Sequence, residues 1–292
     1  MTRRLESDLL SAGEALVRVP TRLMAAERRG GRERGKSDPI DALAVARAAL
    51  REDNLPLAHL YGPARELRLL VDHRDDLVAE RTRIESRLRW HLHELFPEWV
   101  IAPRVLGRFK VLDEVQGRLV GAQGTVAVIA RELTARIREL TVRVNELQRQ
   151  SSVIVAELAP SLLSLAGCGA LSAAKLVGEV AGVRRFYSKA SFARWNGTAP
   201  IPVWSSDDPH FRLNRGGNRQ VNAALHRIAL TQWRCAKTPG HDYVTKRMAR
   251  GDNKKEALRL LRRRLSDEVF RRLLIDESSA VSAADEDFQR AA

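Results

Sequence analysis

The chain has 292 residues and a formal net charge of +14, from 50 Lys+Arg against 36 Asp+Glu. That length accommodates two domains and a sizeable core. The arginine-rich excess points to a polyanion, because the guanidinium fork meets phosphate oxygens in pairs. No run of 18 apolar residues and no lipidation motif occurs, so a membrane partner is not expected. The opening Met1-Thr2-Arg3-Arg4-Leu5-Glu6 lacks the apolar stretch of a secretory signal, and a cytoplasmic location fits. Cys168 and Cys235 stand outside any Cys-X-X-Cys or Cys/His spacing, which excludes structural zinc and fits reduced thiols.

Residues 1–60 read as the tail end of an α/β unit. Asp8 to Ala15 can finish a helix, and Ala15 to Val19 forms a short strand stopped by Pro20. Thr21 to Ala26 begins another helical turn, and Arg28 to Gly35 is a basic, glycine-broken loop. Asp38 then serves as an N-cap, with Pro39 at the first position of a helix running from Ile40 to Arg51. Asp38 and Asp41, three residues apart, can converge on one helix face and supply part of a Mg²⁺ shell. Spacing alone favours simple capping.

A long helical pattern follows from Pro63 to Leu95, with Leu70, Leu77 and Ile84 at intervals of seven, until Pro97 and Pro103 break it. A stricter one places Val126, Leu133, Leu140, Leu147 and Ile154 seven apart, with Ala130, Ile137, Val144 and Leu158 as companions. Such repeats predict a coiled coil or helical hairpin, and a helix of about 35 residues reaches roughly 50 Å. It can pair two protomers or separate two domains.

Pro160 opens a helical domain that extends to about Ile275. Leu162 to Gly182 has the pattern of a helix-hairpin-helix, in which Gly167 and Gly169 permit the turn and the amides beyond it hold a phosphate. Lys175 on the second helix is a further candidate contact. Ser205 and Ser206 lie before a basic, glycine-hinged run containing Arg212, Arg215, Asn218 and Arg219. A serine beside such donors can attack a phosphodiester, although serine pairs in loops are usually turn formers. Trp195, Trp204, Phe211 and Trp233 are expected mostly in the core. From Lys254 to Leu274 a basic amphipathic helix carries Arg262 and Arg263 as candidate nucleic-acid contacts. Residues 276–292 are small, polar and acidic, and are expected to be disordered.

Five motifs in order carry a resemblance. They are Lys36 to Ala42, the central heptads, Leu165 to Gly169, Gly197 to Pro200, and Ser205 with Arg215 to Gln220. The sequence resembles the DEDD-type insertion-sequence transposases related to Piv DNA invertases, a family that includes bridge-RNA-guided recombinases. The resemblance extends over nearly all of the chain to about Leu274. It implies a RuvC-like, RNase H-fold domain with four acidic Mg²⁺ ligands, a coiled coil, and a C-terminal domain whose serine attacks DNA covalently. Asp38 and Asp41 match the third and fourth acids, and Ser205 matches the serine, with Ser206 the adjacent alternative. By family spacing the first Asp and the Glu fall before Met1. The chain is therefore expected to be N-terminally truncated, with an incomplete Mg²⁺ site and little strand cleavage.

The expected fold is mostly α: a remnant of an RNase H/RuvC-like α/β domain over residues 1–60, a coiled-coil hairpin over 61–159, a helical domain containing the helix-hairpin-helix over 160–275, and a disordered tail over 276–292. The expected function is an insertion-sequence transposase or site-specific recombinase that binds, cleaves and rejoins DNA. The alternative is a non-catalytic DNA- or RNA-binding protein derived from one. Expected partners are DNA at the element ends and target, a guide RNA, and a second copy joined through the coiled coil.

Overall fold

Two long amphipathic helices organise the chain: α4 (Pro63–Leu95) and α6 (Thr125–Leu158). The computed structural model describes the chain apart from residues 1, 15, 18, 20, 31–36, 53–54, 56–61, 204–209, 213, 215 and 292. The two helices run antiparallel along most of their length. Leu67 and Val71 of α4 share a cluster with Val155 near the end of α6, while Ile84, Leu88 and Leu92 join Ala130, Leu133 and Ile137 near its start. The heptad residues Leu133, Leu140 and Leu147 are thus buried inside one chain rather than offered to a partner. Burying each such side chain contributes about 1.5–3 kcal/mol. The hydroxyls of Thr134, Thr141 and Ser151, caught in the seam, donate to the carbonyls of Ala130, Ile137 and Leu147 at 2.7–2.8 Å, so none is orphaned.

A shorter helix, α5 (Phe109–Leu119), closes the far end with Leu112, Val115 and Leu119 buried. Arg131 donates to the carbonyls of Leu119 (2.7 Å) and Ala122 (3.1 Å), satisfying acceptors at the end of α5.

At the near end, α7 (Pro160–Leu163) and α8 (Ala170–Val180) dock onto the long pair. A Cβ on Gly178 would lie 2.9 Å from Arg68 Cα, so only glycine lets α8 approach α4 this closely. A 3-10 turn (Val183–Arg185) and α9 (Lys189–Trp195) follow. Then come a two-stranded antiparallel ribbon, β1 (Ile201–Val203) and β2 (His210–Arg212), and the helices α10 (Arg219–Arg234), α11 (Pro239–Ala249) and α12 (Lys254–Ala291). Leu176, Phe192, Leu225, Ile228, Val244, Leu261 and Val269 form one core that also takes in Leu67 and Val155. A buried Asn196 donates to Ser266 across it at 2.8 Å.

The N-terminal residues form α1 (Thr2–Ser11), α2 (Thr21–Gly30) and α3 (Asp38–Arg51). Here several expectations need correction. The first helix ends at Ser11, inside the expected Asp8–Ala15 span, and the expected strand reduces to a bridge at Val17, Ala15 and Arg18 being outside the described residues. Among the described residues no β-strand precedes β1. The capping position of α3 is Ser37, so Asp38 lies in the first turn rather than before it.

The acidic tail is also corrected. Helix α12 continues through residue 276 to Ala291, where disorder was expected. Asp276 is buried and accepts hydrogen bonds from the amides of Ser161 (2.9 Å) and Leu162 (3.3 Å), while Glu277 accepts one from Val183 (3.0 Å). These carboxylates satisfy helix-start donors, which composition alone does not reveal.

Candidate nucleic-acid interface

The glycine turn between α7 and α8 is held from behind. Gly167 has φ +78°, a conformation that favours glycine, and a Cβ there would lie 3.1 Å from the Ile228 carbonyl oxygen. Gln232 of α10 donates to the Ala166 carbonyl at 2.7 Å, fixing the turn to that helix. Cys168 is buried in the turn, and desolvation, opposed by the nearby Arg272 charge, pushes its thiol up to about 12. Gly169, by contrast, faces open space at the start of α8.

The Asn214–Asn218 loop is pinned just as firmly. The Asn218 side chain accepts from the Val221 amide at 2.9 Å, capping α10, and donates to Glu179 at 2.8 Å. Its own amide donates to the Trp195 carbonyl at 2.8 Å. Asn214 accepts from the Gly216 amide at 2.9 Å. Asn218 is therefore a scaffold residue, and beside it Arg219 is exposed at the first position of α10.

Beyond Arg219 lies a small cleft of about 300 Å³ between α10 and α12. Arg219, Asn222, Ala223 and His226 line it from α10, Arg262 from α12, and Gly197, Asn214 and Gly217 from the loops. The α10 residues recur at i, i+3, i+4 and i+7, so they share one helix face. Asn222 links the walls, donating to the Asn196 carbonyl at 2.9 Å and accepting from Arg262 at 3.0 Å. Burial, aided by the Arg262 charge, holds the His226 imidazolium below the usual range. Burial and the Arg259 charge likewise lower Arg262. His226 and Asn222 were not recognised from the sequence, although their spacing from Arg219 on a helical pattern was visible there.

A second, larger groove of about 1380 Å³ runs beside the hairpin between α11 and α12. Lys189, Lys246, Arg247, Arg250, Arg264, Arg271 and Arg272 line it and outnumber its carboxylates, Asp242, Asp267 and Glu268. Arg264 stacks over Tyr243 at 4.7 Å.

The other expected contacts are placed differently. Lys175 is 3% exposed and its nitrogen lies 2.9 Å from both Asp72 and Asp75 of α4, so its charge ties two helices together. Arg263 is half-buried and paired with Asp267. Arg212 is exposed at the end of β2, while Ser205, Ser206 and Arg215 lie outside the described residues.

Asp41 forms an ion pair with Arg28 of α2 at 2.9 Å, and Asp38 is exposed. Among the described residues no group of three or more His, Cys, Asp or Glu is arranged to hold a metal. The residues present therefore do not make a Mg²⁺ centre, since one of the two carboxylates is already neutralised by an arginine. No helix among the described residues is long and apolar enough to cross a membrane.

Comparison with known proteins defines the class. Residues 4–97, covering α1 to α4, match a DEDD-type IS110 family model described as a transposase. Residues 159–245, from the hairpin through most of α11, match the model described as Transposase IS116/IS110/IS902 family. Both matched segments thus point to the insertion-sequence transposase class, and within it both models are of the IS110/IS116 kind.

Three insertion-element proteins are similar to it. An uncharacterized 43.6 kDa protein of IS110 from Streptomyces coelicolor is 27% identical over 79% of this chain and 69% of its own length. An uncharacterized 44.8 kDa protein of IS116 from Streptomyces clavuligerus is 38% identical, and an uncharacterized 42 kDa protein of IS900 from Mycobacterium paratuberculosis is 41% identical. Each of these two matches covers 28% of this chain and 21% of the relative.

Proposed function

We propose that the chain acts on DNA as an insertion-sequence transposase, engaging the phosphate backbone through the cleft at the start of α10 and the groove beside α12. The observation that carries this reading is the convergence of arginines from α10 and α12 on loops that other side chains hold rigid. Fixed donors lose little freedom when they bind an anion. The matched segment 159–245 contains most of the cleft.

The finer reading follows the family resemblance. Residues 1–60 belong to an RNase H-like domain, the long helices form a coiled-coil hairpin, and Leu162 to Gly182 a helix-hairpin-helix. Ser205 is the nucleophile: its Oγ bonds to phosphorus as the phosphorus–oxygen bond to the departing strand breaks, and arginines hold the anionic oxygens. A guide RNA and a second copy of the chain are further partners under this reading, and a cytoplasmic location suits contact with DNA. Asp38 and Asp41 join a Mg²⁺ site only with ligands beyond these two.

Binding is tested by fluorescence anisotropy of labelled duplex DNA over a range of salt. Log affinity should fall steeply with log salt as counterions are released; a flat dependence would sink the proposal. Chemistry is tested separately in a supercoiled-plasmid recombination assay with element ends and RNA. A serine-linked adduct lost in Ser205→Ala and retained in Ser206→Ala would support the nucleophile.

A second reading, a non-catalytic binder derived from a transposase, is favoured by the Arg28–Asp41 pair and by the lack, among the described residues, of three or more His, Cys, Asp or Glu arranged to hold a metal. Efficient recombination by residues 1–292 alone would exclude it.

A further inference from the structure

Among the described residues no carboxylate lines the cleft between α10 and α12, although acidic residues line the next cavity along α10. Among the described residues its charged side chains are Arg219 and Arg262, and His226 is the other titratable one. Both His226 Nδ1 and Arg262 Nε are buried without a hydrogen-bond partner, a state that a folded protein tolerates poorly. Room for a ligand comes from Ala223, the small residue in the face that carries Arg219 and His226, and from the glycine backbones of Gly197 and Gly217. The start of α10 adds the positive end of a 16-residue helix.

A neutral guest would leave the Arg219 and Arg262 charges uncompensated. A carboxylate would satisfy the fork of Arg262 and little else. A tetrahedral anion presents oxygens in several directions, which suits donors on two helices and a loop.

We propose that this cleft is a single-phosphate pocket in which Arg219, His226 and Arg262 grip one phosphate group of a nucleic-acid backbone. The proposal rests on the nucleic-acid reading above and sharpens it to one anchoring position. It adds His226 and Asn222 to the interface, His226 as a ligand contact and Asn222 as the residue that positions Arg262. Among the described residues, Arg262 on α12 acts on His226, Arg219 on its own helix lines the same cleft, and Arg259 acts on Arg262. All are positive, so an entering anion stabilises the imidazolium.

The test follows the His226 ring by NMR in the full chain, assigned with His226→Gln, during titration with inorganic phosphate at constant ionic strength. The expected result is a saturable shift of the His226 resonances and an upward move of its titration midpoint. Asn222→Asp places a carboxylate beside Arg262 with almost no change of shape and should weaken phosphate binding by about tenfold or more. A short duplex should displace inorganic phosphate if the pocket serves the backbone; coexistence of the two would assign it to free phosphate and overturn the proposal. Unchanged His226 resonances in phosphate, compared with chloride, would also overturn it. If duplex binding then keeps its steep salt dependence, the pocket alone fails; if that dependence is flat as well, the nucleic-acid reading fails with it.

Discussion

Gly217 rests directly on Gly197: a Cβ built on Gly217 would lie 2.2 Å from the Gly197 nitrogen and 2.4 Å from its Cα. The loop that follows the β-ribbon is thereby pressed onto the turn after α9, and Arg219 takes its position from that contact. Gly217→Ala should force the two backbones apart and cost about 1–3 kcal/mol as overpacking. Gly216→Ala is the control, because its nearest neighbour is the Asn214 side-chain oxygen at 3.5 Å. Thermal unfolding should separate the two variants by several degrees, and duplex affinity should fall only in the first. Equal behaviour would mean that the glycine contact does not set the loop.

The long helices were legible because heptad spacing and flanking prolines are local signals, and Pro63–Leu95 has the same limits in sequence and structure. The arginines of α12 were legible for the same reason, whereas Arg28 to Gly30, read as the start of a loop, close α2, and residues 31–35 lie outside the described residues. What escaped depends on partners distant in the chain. Asn218 resembled a phosphate contact, but Glu179 and the start of α10 claim its side chain. Lys175 resembled a free cation until α4 brought Asp72 and Asp75 to it. The tail had a disordered composition, yet its first two carboxylates meet amides more than ninety positions away.

Lys175 provides a stability test. Its nitrogen is buried while Asp72 and Asp75 are 42% and 41% exposed. Lys175→Met should therefore cost about 1–2 kcal/mol, less than the loss of a fully buried pair, because the two carboxylates regain water. Burial lowers the pKa of Lys175, but the two carboxylates outweigh that effect and the net shift is upward from 10.5. A raised folded value means the contribution is complete below 10.5 and is lost as pH rises through the folded value. Urea unfolding from pH 7 to 11 should show wild type and Lys175→Met converging only at the alkaline end. A constant difference would assign the cost to packing.

The two cysteines should react very differently. Cys168 is buried with its thiol pushed up to about 12, whereas Cys235 is exposed. At pH 8 the fraction of Cys168 present as thiolate is on the order of 10⁻⁴, and the thiolate is the nucleophile. Iodoacetamide should add once per folded chain, at Cys235, as read by peptide mass spectrometry. Denaturation should release the second site. Rapid labelling of Cys168 in the folded protein would contradict the anchored hairpin turn.

The acidic tail gives the sharpest contrast between composition and structure. Deleting residues 280–292 leaves the Asp276 and Glu277 contacts in place and should change stability by no more than about 0.5 kcal/mol. Deleting 276–292 removes the acceptors for the amides of Ser161, Leu162 and Val183 and should cost about 1–3 kcal/mol. Charge alone does not explain that cost. Burial raises the Asp276 pKa above 3.8, outweighing the Ser161 and Leu162 amides and the Arg272 charge that lower it. The native state therefore holds the Asp276 proton more tightly than the unfolded chain does, and stability from this group declines as pH rises through the folded value. Asp276→Asn keeps one of the two acceptors and turns an NH2 donor toward the other amide, so it should cost about 1 kcal/mol at pH 7, less than the long deletion. Chemical denaturation of the three variants at pH 7 decides the matter: a short deletion as costly as the long one, or an Asn variant as costly as the deletion, would show that the carboxylate cap is not what holds the tail.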